Sequence, residues 1–335
     1  MSKKVDFVIT WVDGNDSEWQ KEKNKYLPTQ NSDARIERYR DWENLQYLFR
    51  GIEKFAPWVN KVFLVTWGHT PDWLVEEHEK LVIVNHKDFM PLDALPVFNG
   101  CALEVNLHKI PGLSEQFVYF NDDMFLLRPV KMEDFFKQGL PCDSAALSVH
   151  CYSEVTWFHF AAFRHVGVMN KYFDMRKIIK ANWSKWFNLK YGIKNLQTLM
   201  LINCPRFPGF WPNHLPQSFL KSTFEELWEK EGERLNEVTY HRFRDVLDMH
   251  QWLFKDWQIC KGEFVPRNIK TSGKAFELRD GVEPSIKAAK YIRMQKAKMV
   301  CINDGRLTED EFEQSKKNII EAFESVFPEK SSFEK

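Results

Sequence analysis

Excess charge of either sign is missing from this chain. Lys+Arg and Asp+Glu both number 47, so no global field draws in nucleic acid, and an anionic ligand has to be held by local cationic clusters. Long apolar runs are missing too. No stretch reaches the 18 or more residues of a membrane span. The opening Met-Ser-Lys-Lys-Val-Asp-Phe-Val-Ile-Thr-Trp is too short an apolar run for a secretory signal and is interrupted by Asp6 and Asp13. Cysteine is sparse: Cys101, Cys142, Cys151, Cys204, Cys260 and Cys301 form no CxxC pair, which fits reduced thiols better than disulfides or a zinc site. There is no GxxxxGK[ST] loop, no GxGxxG fingerprint and no GxSxG elbow. These absences give the expectation of a cytoplasmic protein without a transmembrane span, peripheral at most at the inner face of a membrane.

What is present is the composition of a folded protein. Of 335 residues, 44% are hydrophobic and 28% charged, enough for one large or two ordinary domains. Aromatics reach 15%, with 13 Trp, most of them expected in the core. Val5–Val12 reads as a first strand that ends in Asp-Gly-Asn-Asp (13–16), a strong turn signal. Polar residues 20–37 read as a surface excursion. From Asp41, the spacing of Leu45, Leu48, Phe49, Ile52 and Phe55 predicts an amphipathic helix that Pro57 stops. Lys61–Trp67 and Leu81–Val84 read as strands, Asn99–Lys109 as a helix and Phe117–Phe120 as a buried strand. This alternation predicts an α/β fold with a mainly parallel sheet. Residues 140–215 look irregular and loop-rich, with Pro205, Pro208, Pro212 and Pro216. Residues 218–257 look helical. Met299–Asn303 reads as a late strand. Thr308–Phe323 reads as a last helix, opened by a Thr308–Glu311 capping box.

The most informative feature is the end of the Phe117–Phe120 run at Asn121-Asp122-Asp123. A strand of an α/β sheet delivers its last residues to the carboxyl edge, where such sheets bind ligands. Two adjacent carboxylates there are costly unless a cation or a proton separates them, and a hard divalent ion with a substrate phosphate is a usual solution. The alternative is a loop in which one aspartate caps the next turn. Other candidates accompany it. Asp13 follows the first strand, with Gly14 permitting close backbone approach and Trp11 placed near a base or ribose; a plain turn is the alternative. Arg38-Tyr39-Arg40-Asp41 precedes a helix and could bind an anion, or Asp41 could simply be its N-cap. Arg50, in mid-helix, reads as solvated. Glu104 and His108 stand at i, i+4 on one helix and could share a face, or form a surface pair. His214 lies between Pro212 and Pro216, which fix the backbone around a group able to shuttle protons; it could equally be a loop histidine. Arg242 and Arg244 could neutralise phosphate oxygens, or sit on a charged helix face. Cys301-Ile-Asn303-Asp304-Gly305 is a second acidic strand end, or a turn. Together the set fits phosphoryl transfer, whose catalysis is mostly positioning and charge neutralisation.

Four blocks of this sequence resemble the Stealth family of sugar-phosphotransferases, which includes bacterial capsular-polysaccharide phosphotransferases and the animal lysosomal-enzyme GlcNAc-1-phosphotransferase. They are Asp6–Asp16; the run from Arg38-Tyr-Arg-Asp to Asn121-Asp-Asp-Met-Phe125; Asn213-His-Leu-Pro216; and Cys301-Ile-Asn-Asp304 with Phe327–Glu334. The resemblance implies a GT-A-like nucleotide-sugar core at 1–139 and 296–335. Residues 140–295 would be an aromatic-rich, loop-rich and helical insertion that carries His214 and Arg244 and shapes the acceptor site. It implies a UDP-sugar donor, a glycan or polysaccharide acceptor in capsule or exopolysaccharide synthesis, release of UMP, and a divalent cation, Mg2+ or Mn2+. It also implies association with capsule-synthesis machinery. Carried over residue by residue, the family's essential groups fall on Asp13, Glu104, Asp123, His214 and Arg244. Asp123, with Asp122 or Asp304, would hold the metal. Trp11, Asp13, Arg40, Asp41, Asn121 and Asn303 would bind substrate. The rivals are a glycosyltransferase that moves only the sugar and releases UDP, and a non-catalytic carbohydrate-binding module.

Overall fold

A computed structural model describes residues 4–27, 37, 39–151 and 155–335; Arg38 lies outside them, as do residues 28–36 of the polar excursion. The chain runs β1 (Val5–Thr10), α1 (Ser17–Lys25), α2 (Leu45–Phe55), β2 (Val62–Thr66), β3 (Leu81–Asn85), α3 (Gly100–Glu104), β4 (Gln116–Asn121) and β5 (Met124–Leu126). The middle of the chain contributes β6 (Phe136–Lys137), β7 (Leu140–Asp143), α4 (Trp157–Tyr172), α5 (Met175–Ala181), α6 (Trp183–Trp186) and α7 (Lys194–Leu201). Then follow β8 (Gln217–Leu220), α8 (Lys221–Thr239), α9 (Trp252–Lys261), β9 (Val265–Pro266), α10 (Ile269–Ser272), β10 (Gly273–Leu278), α11 (Glu283–Arg293), β11 (Met299–Asp304) and α12 (Glu309–Val326).

The fold is α/β. Its main sheet has the order β3-β2-β1-β4-β8, parallel except for β8, which runs antiparallel to β4. β1, β2 and β4 are buried almost throughout because helices cover both faces, which is why they read as continuous apolar runs. Successive side chains still alternate between faces. Phe7, Ile9, Val118 and Phe120 join the core under α2 and α12, while Val8, Phe117 and Tyr119 join the core under α8 and α9. Parallel pairing sets Thr10 opposite Asn121, so both acidic turns leave the sheet at one edge. A second sheet, β10-β11-β5, sets Cys301 opposite Met124 and brings the Asn303-Asp304 end to the same place. At the opposite edge Asp6 is fully buried. Its carboxylate accepts from Asn60 Nδ2 (2.6 Å), Lys61 N (3.1 Å) and Ser114 N (2.8 Å); it fastens loops and stands away from the site.

Several sequence expectations need correction. The amphipathic helix starts at Leu45, not at Asp41. The carboxylate of Asp41 instead accepts from the Glu43 N–H at 2.8 Å, a local turn that holds the chain out of helix for one more step. The Asn99–Lys109 helix is only α3 followed by a 3-10 turn at Leu107–Lys109. Residues 157–201 are mostly helical rather than loop-rich: α4 shows little sidedness and offers no clear 3.6-residue signal. Residues 144–151 and 202–216 keep the irregular character expected of this region. The expected helix at 218–257 is interrupted. It begins as β8 and breaks at 240–251, so Arg244 stands in a loop rather than on a helix face. Arg50 is not solvated: it makes a two-pronged pair with Glu334 at 2.8 and 2.6 Å and donates to the Phe327 carbonyl, tying the last residues to α2. β10 and α11 carried no sequence expectation. The Thr308–Glu311 capping box is present. No helix among the described residues is long and apolar enough to cross a membrane.

Candidate active site

The carboxyl edge of the main sheet opens into a solvent-accessible cleft lined by the ends of β1, β4 and β11 with residues 39–45, 97–104 and Arg244. Of the twelve residues to which the resemblance gives a site role, ten line it: Trp11, Arg40, Asp41, Glu104, Asn121, Asp122, Asp123, Arg244, Asn303 and Asp304. Asp13 stands at the rim, close enough to Asp41 to help raise its pKa. Its side chain accepts from Asn15 N at 2.8 Å. Gly14 is required here: a Cβ would lie 1.7 Å from the Tyr39 carbonyl oxygen, so only glycine lets residues 39–42 cross the end of β1. His214 joins the cleft through Asn121, its Nε2 lying 3.4 Å from Asn121 Nδ2. Topology explains that contact. β8 runs antiparallel to β4 with Gln217 opposite Tyr119, so the residues just before β8 must lie beyond the end of β4.

Asp122 and Asp123 are held differently. The Asp123 backbone carbonyl accepts from Ile302 N at 2.8 Å, and its Oδ2 accepts from the Cys301 thiol at 3.3 Å. Burial and this carboxylate push the Cys301 thiol well above its ordinary pKa, so it is a neutral donor that orients the carboxylate. Asp123 Oδ1 is buried and has no hydrogen-bond partner among the described residues, an arrangement that costs free energy unless something else satisfies it. Asp122 keeps an open face toward the cleft. Desolvation first, then the carboxylates of Asp123, Asp41 and Asp304, push its pKa up to about 8. Donor atoms of Asp123, His214 and Cys301 lie within 4.8 Å of one another. An orphaned carboxylate oxygen beside a carboxylate starved of countercharge fits a hard divalent cation. The protonated thiol does not belong to such a set.

Arg40 and Asp304 engage each other. Nε and Nη2 of Arg40 reach Asp304 at 3.0 and 2.8 Å, and Nη2 also donates to the Gly305 carbonyl at 3.2 Å. The guanidinium lies 4.2 Å over the Phe312 ring. This bidentate pair locks the β11 end against the segment before α2. Both charges are largely committed to that lock, so neither is free for anion or metal in the way expected from sequence. Glu104 is buried. Tyr119 OH donates to its Oε1 (3.1 Å) and Gln251 N to its Oε2 (3.0 Å), yet desolvation outweighs these bonds and the nearby Arg244 and raises its pKa. His108 does not share its face: it packs against Phe224 and Trp228, and burial drives its pKa down to about 3. Arg244 lies 4.1 Å over the Trp157 ring.

Three residues of this neighbourhood escaped sequence reasoning. His69 Nε2 accepts from Asp13 N at 2.8 Å; its position just after β2 was the available signal, the same strand-end logic that marked Asp13. Asp248 is fully buried and holds the Arg244 loop from inside. Its carboxylate accepts from Asn99 Nδ2 (3.0 Å) and Asp245 N (2.9 Å) and lies 2.8 Å from His241 Nδ1. Tyr119, whose hydroxyl bridges Thr10 Oγ1 (2.8 Å) and Glu104, reads from sequence only as a core aromatic.

With this geometry in place, comparison with known proteins is informative. Residues 3–30, 38–142 and 290–335 match the Stealth protein conserved regions 1, 2 and 4. The chain is 40% identical to the capsular polysaccharide phosphotransferase WcwK of Streptococcus pneumoniae over 99% of its length and 98% of that protein's. It is 42% identical to the receptor polysaccharide phosphotransferase WefC of Streptococcus gordonii over all of both chains. Identity to the exopolysaccharide phosphotransferase cps2G of Lactiplantibacillus plantarum is 38%, covering 99% and 96%. Among solved structures, the galactosyltransferase LgtC with donor and acceptor sugar analogs aligns at a TM-score of 0.42 and 10% identity, over 96% of this chain and 95% of that one.

Proposed function

Because the chain belongs to the Stealth protein family and is a phosphotransferase, we propose that it moves sugar-1-phosphate from a UDP-sugar to a hydroxyl of a glycan acceptor in capsular or exopolysaccharide synthesis. The acceptor oxygen forms a bond to the β-phosphorus of the donor. The bond from that phosphorus to the bridging oxygen breaks, UMP leaves with that oxygen, and a phosphodiester remains. The observation that carries the reading is the convergence of Asp122 and Asp123 with His214 and Arg244 at one sheet edge. Asp123 and Asp122 would hold Mg2+ or Mn2+, which when bound supplies charge neutralisation to the donor diphosphate.

The chain's own groups supply the rest. His214 receives the acceptor proton, and Asn121 Nδ2, 3.4 Å from its Nε2, orients the ring. Arg244, held by Trp157 and by its loop, offsets charge on the transferred phosphoryl group. Glu104 positions Arg244 and the Tyr119–Thr10 pair. Trp11, Asp13, Asp41, Asn121 and Asn303 bind the donor. Asp304 and Arg40 hold the cleft wall and face the site as a unit. Residues 140–295 shape the acceptor side.

Nucleotide analysis after incubation with UDP-sugars tests the reading. It requires UMP together with a phosphodiester in the product's mass. Release of UDP instead would identify a transferase of the sugar alone. Asp123→Asn should abolish metal-dependent UMP release; full wild-type activity in EDTA would sink the metal assignment.

A further inference from the structure

Cationic and anionic residues balance over the whole chain but not along it. Between Glu154 and Glu225 the sequence contains one acidic residue, Asp174, against ten lysines and arginines. Asp174 is already used, capping α5 and lying 4.0 Å from Lys177 Nζ. Arg164 and Lys171 pair with Glu237 and Glu231 of α8. Farther along, the lysines find only neutral oxygens: Lys185 donates to the Gly262 carbonyl, Lys190 to the Pro266 carbonyl and Lys194 to the Gln197 side chain. Arg176, Lys177, Lys180 and Arg206 are exposed. This region therefore carries an uncompensated positive field on a protein that has none overall.

Exposed apolar side chains gather in the same region. Leu189 is 97% exposed and Ile193 80%, and Trp183, Leu196, Leu199 and Met200 are each at least half exposed. Leu196, Leu199 and Met200 stand at i, i+3 and i+4 of α7 and so share one face. The opposite face is the one that packs: Thr198 is fully buried, and its hydroxyl accepts from Leu147 N at 3.1 Å. A run of large apolar groups turned outward marks an interaction surface. Surrounded by lysine and arginine rather than by both signs, it suits a lipid headgroup layer better than a mixed protein surface. The apolar side chains enter the acyl boundary, and the cations meet headgroup phosphates at its level.

We propose that residues 176–206, centred on α6 and α7, dock the protein on an anionic phospholipid bilayer. The surface borders the His214 side of the cleft, because Lys194 Nζ lies 5.4 Å over the ring of Trp211, three residues before His214. Docking would thus bring the acceptor side of the cleft to a membrane. That orientation rests on the reading of the site given above; docking itself does not.

The full-length protein is sedimented with phosphatidylcholine vesicles, with and without phosphatidylglycerol. It should bind only the anionic vesicles, and high salt should weaken binding by about tenfold or more. Leu189→Asp/Ile193→Asp/Leu196→Asp and, separately, Lys177→Glu/Lys180→Glu should each abolish binding. These side chains are exposed or make only surface contacts, so unchanged thermal unfolding confirms an intact fold. Failure to bind, or equal and salt-insensitive binding to neutral vesicles, overturns the proposal. A concentration-dependent dimer broken by the same substitutions, with no vesicle binding, overturns it in favour of a second copy of the chain. Vesicle binding is read without turnover, so failure of the transfer reaction leaves this measurement standing.

Discussion

Asp123 and His214 stand in different surroundings, and these suit them to different tasks in the proposed transfer. The thiol of Cys301 orients one oxygen of Asp123 and leaves the other without a protein partner, which suits a cation ligand better than a proton shuttle. His214 stands beside the end of β4, where Asn121 Nδ2 orients its ring. If His214 is the base, His214→Gln lowers kcat by ~10²–10⁴ and removes the acidic limb of the pH–rate profile. An unchanged limb would move the role to Asp123. The Arg40–Asp304 pair also belongs to this scale. From sequence each residue looks like a separate ligand group. At 2.8 Å from one another they are first of all partners.

Loops and helices decide where these side chains stand. The loop from Tyr240 to Gln251 holds Arg244 in the cleft through Asp248, which gathers Asn99, Asp245 and His241. The hydrogen bond that His241 Nδ1 makes to the Asp248 carboxylate raises the pKa of His241, ahead of the opposing effect of burial. A histidine raised in the fold stabilises it fully below its unfolded value near 6.5 and loses that contribution as pH rises through the folded value. His241→Gln should therefore destabilise the protein at pH 5.5 and converge with wild type at alkaline pH, as read by thermal unfolding. Asp248→Asn should lower kcat more than KM, because it loosens Arg244 without touching substrate. Helix α2 offers a separate test. Gly→Ala in a helix usually gains up to about 1 kcal/mol. At Gly51, however, a Cβ would lie 2.9 Å from the Leu126 carbonyl of β5, and backbone cannot swing aside. Overpacking of this kind costs about 1–3 kcal/mol, so Gly51→Ala should lower Tm.

At the scale of the whole molecule, the cleft brings Asp41, Asp123 and Asp304 close enough to Asp122 to act on its charge. Their mutual repulsion and desolvation hold Asp122 at about 8, above its ordinary value near 3.9. A carboxyl raised in the fold opposes folding as it ionises, so the metal-free protein loses stability from this group as pH rises from about 4 through about 8. A bound cation removes that penalty. Mg2+ at a hundredfold excess over its Kd should therefore stabilise the protein by about 2.7 kcal/mol, and at one fixed concentration it should raise Tm more at pH 8 than at pH 5. A Tm independent of Mg2+ at both pH values would contradict the metal assignment. The two sheets matter here as one body, since β8 and β10, both from residues 140–295, pair with β4 and β11 and fix how far the walls of the cleft stand apart.

Local pattern alone determined much of this protein. Apolar runs in β1, β2, β4 and β11, the turn residues that end them and the Thr308 cap are properties of short stretches of chain. A parallel sheet then sends its strand ends to one edge, so Asp13, Asp122, Asp123 and Asp304 were legible as a group. Glu104, His214 and Arg244 were candidates beside bland alternatives, and the resemblance in sequence blocks singled them out. Tertiary structure decided what short stretches cannot encode. It chose the partners: Arg40 with Asp304, Arg50 with Glu334, Cys301 with Asp123, Asp248 with the Arg244 loop. Each pair joins residues far apart in the chain, except Asp248 and its own loop, whose burial is itself set by Asn99. It also decided which groups face water. Nothing in the composition of Lys194–Leu201 says that Thr198 turns inward and Leu196 outward. That choice depends on which neighbour arrives to cover a face, and the neighbours come from the whole fold.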